Sequence, residues 1–532
     1  MGSGLFLLTC SVTMNLAGLG ARGSSRSVTV VRYGAIGCPV GRLVPEADNC
    51  AVWRAPAGWS VYPVGEVCPF KDAFGREAAA TWIAMNTILP VLDSQAAFVD
   101  VGSEHMHVSV AGGRPEVFGA VTGELHRLRD WLLAQKVRSV AMEATGVYWL
   151  PLYGILEAAG LRVLMVNGKH TRNLPGRKTD MQDCQWGATL HAHGLLRGGF
   201  VPPAQIRRLQ DYLRLRQDHL TLAASHVQHM QKALERMNVK LHDVISNLVG
   251  VSGQAVIQAI LAGERQPLRL LLLCDAQIQK RKADRVQEAL RGTWAEEHLF
   301  ALRQAWESWQ HYQRQIAACD AQIQHVLQGL EPTLSGAPPA GVAPPPPSAR
   351  KRPGLNAPVI PGLDELIWRL CGGRDLTALP ACTSYSVLQL IGEIGLDLSP
   401  WPTAKDFTSW LGLAPGSHQS GKRHRGTGRK RNRAGRLLCV IARSLVRSKD
   451  MALGGFYRRL AARRGGLVAI IATARKLAVL IWQTMVKGRG FVEEGLQRYE
   501  ARVLETKQRT LHRLAKQLGF AVLPAPATPK AQ

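Results

Sequence analysis

Between residues 95 and 200 the apolar positions switch between a period of two and a helical period. "AAFVDVG" and "HMHVSVA" are short alternating or apolar runs separated by turn residues, which predicts two strands of a hairpin or meander. "GELHRLRDWLLAQK" spaces its apolar residues for one helix face, and "VRSVAMEA" reads as a buried strand. "WLPLYGILEAAG" reads as a helix closed by Gly160, and "LRVLMVN" as a further strand. Strands alternating with helices imply a sheet covered by helices. Asp180 and Asp183 then open another helix.

Residues 204–330 carry long helical periodicity dense in Gln, Arg, Leu and Ala, as in "QIRRLQDYLRLRQDHLTLAASHVQHMQKALERMNVKL" and "ALRQAWESWQHYQRQIAACDAQIQHVLQGL". Two long helices packed as an antiparallel hairpin or coiled coil account for this economically. "SGAPPAGVAPPPPSARKRPG" supports neither helix nor central strand, so residues 331–357 are expected as an extended linker. A mostly helical domain is expected over 358–500 and a basic tail over 501–532. Residues 1–84 show no sustained period, and are expected to be a disordered extension or to precede a true start near Met85. The expected fold class is therefore multidomain, α/β plus α.

Charge narrows the choice of partner. The chain of 532 residues carries 66 Lys and Arg against 39 acidic residues, a formal net charge of +27. That excess exceeds what solubility needs and points to a polyanion, with nucleic acid first because Lys and Arg neutralise phosphates. The ten cysteines form no C-x-x-C pair and no zinc-spaced cluster, which fits reduced thiols in a cytoplasm. "LRLLLLC" is too short for the ~18–20 apolar residues of a membrane span, and "MGSGLFLLTC" lacks a basic leader, so no membrane is expected as a partner.

Four carboxylates carry the candidate chemistry. Asp100 lies inside the apolar strand "FVDVG", where a carboxylate is costly unless paired or bound to a cation. Glu143 ends a strand, and Asp180 and Asp183 begin a helix. Taken alone, a D-x-x-D at a helix start suits capping and the helix dipole. Together, the ends of strands and a helix start can converge, so that these acids ring one or two divalent cations. Hard oxygen donors without Cys or His favour Mg2+ or Mn2+, and such sites serve phosphoryl transfer.

"DVGSEHMHVSV", "MEATGVYW" and "VNGKHTRNLPGRKTDMQDCQWGATL" resemble the signatures of the DEDD transposases of insertion-sequence family 110. "GEIGLDLSPWPTAKDFTSWLGLAPGSHQSGKRHRGTGRKRNRAGRLL" and "FYRRLAARRGGLVAIIATARKLAVLIWQTM" resemble that family's second block. The resemblance implies a RuvC-like ribonuclease H fold over residues 90–203, with Asp100, Glu143, Asp180 and Asp183 as a metal-binding acidic tetrad. With the helical coiled-coil connector read from the periodicity of residues 204–330 between them, it further implies a C-terminal transposase domain that supplies a catalytic serine. Ser420 in "HQSGK" matches best, with Ser417 in reserve, and a covalent phosphoserine link to DNA follows from it. Lys422, Arg423, Arg425, Arg429, Lys430, Arg431 and Arg433, in the Gly-rich basic stretch beyond, are the expected nucleic-acid contacts. The family further implies a structured bridge RNA as guide, and strand exchange implies a homo-oligomer, a dimer or tetramer.

This sequence departs from the family pattern at two places. Only Gly421 follows Ser420 where two glycines are common, and Ala381-Cys382-Thr383-Ser384 stands where a helix-hairpin-helix turn is usually Gly-rich. Two other readings stay open: a RuvC-like nuclease or junction resolvase without serine chemistry, and a decayed copy that only binds nucleic acid.

Overall fold

The computed structural model describes residues 90–143, 146–168, 179–330, 354, 356–415, 418–420, 423–425, 430–448 and 452–522, and four short strands nearer the N-terminus. Contacts divide the chain into two compact units, Met1–Pro90 and Val91–Gln532. In the first, β1 (Thr9–Val12) pairs antiparallel with β2 (Val28–Val31), and β3 (Leu43–Pro45) with β4 (Ala51–Trp53). The rest of residues 1–84 lies outside the described residues.

The second unit begins with a mixed five-stranded sheet in the order β7-β6-β5-β8-β9. β5 (Ala96–Val101), β6 (His105–Val110) and β7 (Glu116–Gly119) form an antiparallel meander. β8 (Ser139–Glu143) and β9 (Arg162–Val166) run parallel to β5. The four residues of β7, "EVFG", are too few to register as a period, and the sequence reading stops at two strands in this half. Parallel pairing needs crossovers, here α1 (Thr122–Ala134) and α2 (Trp149–Ala158).

Strand alternation decides which face each side chain meets. Ala97, Val99, Val101, Val140 and Met142 are buried with Leu125, Leu128 and Leu132 of α1 and Leu152 and Leu156 of α2. Phe98, Ala141 and Val166 face the other way, against Cys184 and Ala188 of α3 (Asp180–Ala192). Gly187 lets α3 approach closely, because a Cβ there would lie 2.6 Å from the Phe98 ring. The Cys184 thiol also points into this interface, toward the carbonyls of His107 at 3.1 Å and Phe98 at 3.4 Å.

Two long helices follow, α4 (Ala204–Arg236) and α9 (Glu296–Gly329). They lie antiparallel: Arg216 meets Asp320, and further along His226 stacks on Tyr312. The stretch between them holds four further helices, α5 (Leu241–Val244), α6 (Val251–Leu261), α7 (Pro267–Leu272) and α8 (Ala276–Ala289), which pack on the far end of the pair. The sequence reading named only the two long helices, because the short ones lack the length to show a period.

Past the linker come α10 (Leu363–Leu370), α11 (Ser384–Ile394) and α12 (Ala404–Trp410). A strand pair follows, β10 (His418–Ser420) and β11 (Arg423–Arg425), then α13 (Arg433–Ser444), α14 (Ala452–Arg464), α15 (Gly466–Lys487) and α16 (Arg489–Gln517). Ile206, Leu209 and Leu213 of α4 and Ile323 and Leu327 of α9 share one hydrophobic core with α10–α13 and α15. Ala381 has φ of +62°, the left-handed conformation a glycine adopts at little cost, in the turn where the family pattern is Gly-rich.

One expectation about apolar runs needs correcting. α15 is 22 residues long and apolar enough by composition to cross a membrane. Its central Arg475 and Lys476 interrupt the run in the sequence, which is why it escapes a search for uninterrupted apolar stretches. Ala474, Leu477, Ala478, Ile481 and Met485 are buried against the other C-terminal helices, so its apolarity is that of a core helix.

Candidate active site

The sheet places Asp100 and Glu143 side by side. β5 and β8 are parallel neighbours in the register Val99↔Met142, which puts these two acids one step on, at adjacent strand ends. Asp100 shares its face with Phe98, and Glu143 shares its face with Ala141, so both face α3. α3 presents Asp180 and Asp183 in its first turn. Asp183 is one helical turn before Gly187, the residue seated on Phe98, and Phe98 is two residues before Asp100 along the strand. The stripe Asp180, Asp183, Gly187 thus runs along β5 toward Asp100.

Electrostatics record that convergence. Burial, then the charges of Glu143, Asp180 and Asp183, push the Asp100 carboxyl up to about 6, and His107 pulls it partly back. The bland reading of the helix-start aspartates weakens, because the cap of α3 is Thr179, whose side chain accepts from the Gln182 N–H. Sequence reasoning missed His107 and Gly168. His107 is the cross-strand partner of Asp100, a pairing legible once the hairpin register is set. Gly168 makes room for Glu143, since a Cβ at residue 168 would lie 1.8 Å from its Oε1. Burial drives the Cys184 thiol beneath the site up to about 12, so it stays protonated and is no nucleophile.

Among the described residues no three acidic, imidazole or thiol groups stand close enough to grip a cation as placed. The donor set nonetheless fits one: four hard oxygen donors, one of them desolvated and burdened by its neighbours. A cation offsets the burial and the repulsion that raise Asp100.

The serine block lies elsewhere in the fold. Ser420 ends β10 and pairs with Arg423 of β11, and Arg425 pairs with His418. Ser417, Lys422 and Arg429 lie outside the described residues. Lys430 is exposed and Arg431 half-buried, and Asn432 caps α13 by accepting from the Gly435 N–H at 2.8 Å. Arg433 pairs with Glu393 at 3.4 Å, a carboxylate that also takes Arg214 at 2.9 Å. The structure therefore places Asp100 and Glu143 at neighbouring strand ends, with Asp180 and Asp183 in the first turn of the helix on that face, and sets Ser420, Arg423 and Arg425 on a separate strand pair.

An acidic face on a mixed sheet, in one unit with a basic helical body, suits an enzyme that acts on nucleic acid. Residues 99–239 match the model for DEDD transposases of the IS110 type, and residues 373–458 match that for transposases of the IS116/IS110/IS902 family. The chain belongs to the IS110 family of DEDD transposases. No curated protein matches it.

Proposed function

We propose that this chain is a serine recombinase with a composite site, in which the acidic tetrad and Ser420 act on the same DNA phosphate. The observation that carries the proposal is the raised Asp100 carboxyl, pressed by Glu143, Asp180 and Asp183 on a five-stranded sheet compatible with a RuvC-like ribonuclease H domain. Asp100, Glu143, Asp180 and Asp183 would hold Mg2+ or Mn2+, which when bound supplies positive charge at a scissile phosphate. In cleavage, the Ser420 oxygen attacks phosphorus, forming a phosphoserine ester as the bond to the sugar oxygen breaks, and the serine proton passes through solvent to that leaving oxygen, which departs as a hydroxyl. In rejoining, a sugar hydroxyl of the exchanged strand attacks that ester and frees the serine. Lys422, Arg423, Arg425, Arg429, Lys430, Arg431 and Arg433 neutralise the phosphates on either side, and the net charge of +27 suits a complex that holds both DNA and a structured bridge RNA as guide. Exchange between two duplexes requires several such sites, hence a dimer or tetramer assembled through the long helix pair.

Incubation of the chain with guide RNA and donor and target DNA in Mg2+, followed by denaturing gels, tests the reading. Wild type is expected to leave protein covalently on DNA. Ser420→Ala should abolish that species while Ser417→Ala retains it, and Asp183→Asn or EDTA should stop cutting with binding nearly intact. Free nicked ends from Ser420→Ala would establish a resolvase acting with water instead.

A further inference from the structure

The distal half of α16 stands clear of the rest of the unit. Every described side chain from Ala501 to Phe520 is exposed except the half-buried Ala515. Leu504, Leu511, Leu514 and Leu518 are 58%, 54%, 46% and 69% exposed. Four exposed leucines on one projecting stretch make an apolar stripe that a second apolar surface would cover. The stretch also lies outside both family-matched ranges, 99–239 and 373–458, and no family block accounts for it.

The spacing identifies that partner. Leu504, Leu511 and Leu518 recur every seven residues with Leu514 between, which are heptad a, a, a and d positions. In this register Lys507 is the one charged seam residue, and the flanking e and g positions Gln508, Thr510, Ala515 and Gln517 carry no charge. Glu505, Arg509, His512, Arg513 and Lys516 fall at the outer b, c and f positions, and Glu505 and Arg509 pair with each other. A helix built for anionic lipid or phosphate sets its cations beside the apolar stripe, where long side chains snorkel to the charge. Here the flanks are neutral, so apart from the seam Lys507 two copies of the same helix meet without like-charge repulsion and leave their basic faces outward.

We infer that residues 504–518 are a self-association surface that pairs with the same helix of a second copy of this chain. Two heptads with a lysine in the seam make a weak contact by themselves, and they strengthen an assembly by raising effective concentration once other contacts join.

Sedimentation velocity of the full chain, free of nucleic acid, tests this. Leu511→Asp combined with Leu514→Asp should weaken self-association by about tenfold or more. Arg509→Asp combined with Arg513→Asp, on the outer face, should leave it unchanged. Under mild oxidation Leu511→Cys should give a disulfide-linked dimer and Arg509→Cys none. Circular dichroism melting shows that each variant stays folded. An unchanged dissociation constant in the leucine variant overturns the inference, and loss of binding to anionic vesicles or RNA in that variant instead would assign the stripe to that partner. Either failure leaves the recombinase reading standing, since covalent protein on DNA is scored separately.

Discussion

Asp100 is where the cost of the site is concentrated. Its folded carboxyl is raised to about 6 from an ordinary 3.8, first by burial and then by Glu143. A group raised in this way contributes stability that is complete below its unfolded value and is lost as pH rises through the folded one. The metal-free protein should therefore lose thermal stability between pH of about 4 and about 7. Asp100→Asn should flatten that dependence and raise the melting temperature near neutrality, while abolishing DNA cutting. Mg2+ should raise the melting temperature of wild type above pH of about 6, where Asp100 is ionised, and not that of Asp100→Asn. Melting curves in EDTA and in Mg2+ across that range check all three, and an unaltered pH dependence in Asp100→Asn would remove Asp100 as the source. Asp100 is legible in the sequence because a charge inside "AAFVDV" violates the apolar run around it. His107 and Gly168 are not, since one depends on strand register and the other on a clearance that only the folded loop reveals.

At the scale of elements, the contact of α3 with β5 sets the distance between the helix acids and the strand acids. Apart from the four-residue β7, helix and strand identities between residues 96 and 166 follow from period, because those elements alternate or repeat over enough residues to bury one face. The closeness of their packing does not follow from period. It depends on Gly187, whose missing side chain admits the Phe98 ring, and on the small Cys184 and Ala188 beside it. Gly187→Ala should force the helix outward, costing about 1–3 kcal/mol as overpacking usually does, and should slow DNA cleavage more than it lowers DNA affinity. Chemical denaturation with a parallel cleavage assay measures both, and wild-type cleavage in a destabilised variant would show that α3 can shift without moving Asp183. The β10–β11 pair escapes sequence reading for a different reason: three-residue strands of His, Gln, Ser and Arg contain no apolar residue and so carry no hydrophobic period.

Across the larger unit, the cores decide what unfolds with what. The α/β domain has its own cores on the two faces of its sheet, whereas the base of the helix pair shares a core with the C-terminal helices. Between them lies a cavity of about 680 Å³ lined by Tyr153, Phe200, Trp401 and Trp410, bridged nearby by the Arg207–Glu157 ion pair. The helical body is instead locked by a buried charge cluster. Arg216 and Asp320 meet at 2.5 Å with side chains 2% and 7% exposed. Arg216 also donates to the Asn356 carbonyl and the Tyr385 hydroxyl, and Asp320 accepts from the Val359 N–H. These bonds tie both long helices to the end of the linker, to the chain just past it and to α11. Removing one member of such a pair strands a buried charge, so Asp320→Ala should cost about 3–5 kcal/mol. Hydrogen exchange should then speed up at the amides of α4, α9 and α11 while those of β5 and β8 keep their protection. Replacing both partners, Arg216→Met with Asp320→Leu, should recover much of the loss because no charge is left stranded. Equal loss of protection in the sheet would instead mean that the two halves unfold together. Where they unfold separately, Asp320→Ala should deplete the covalent protein–DNA species through the serine-bearing half, with Mg2+ still raising the stability of the acidic site in the other half.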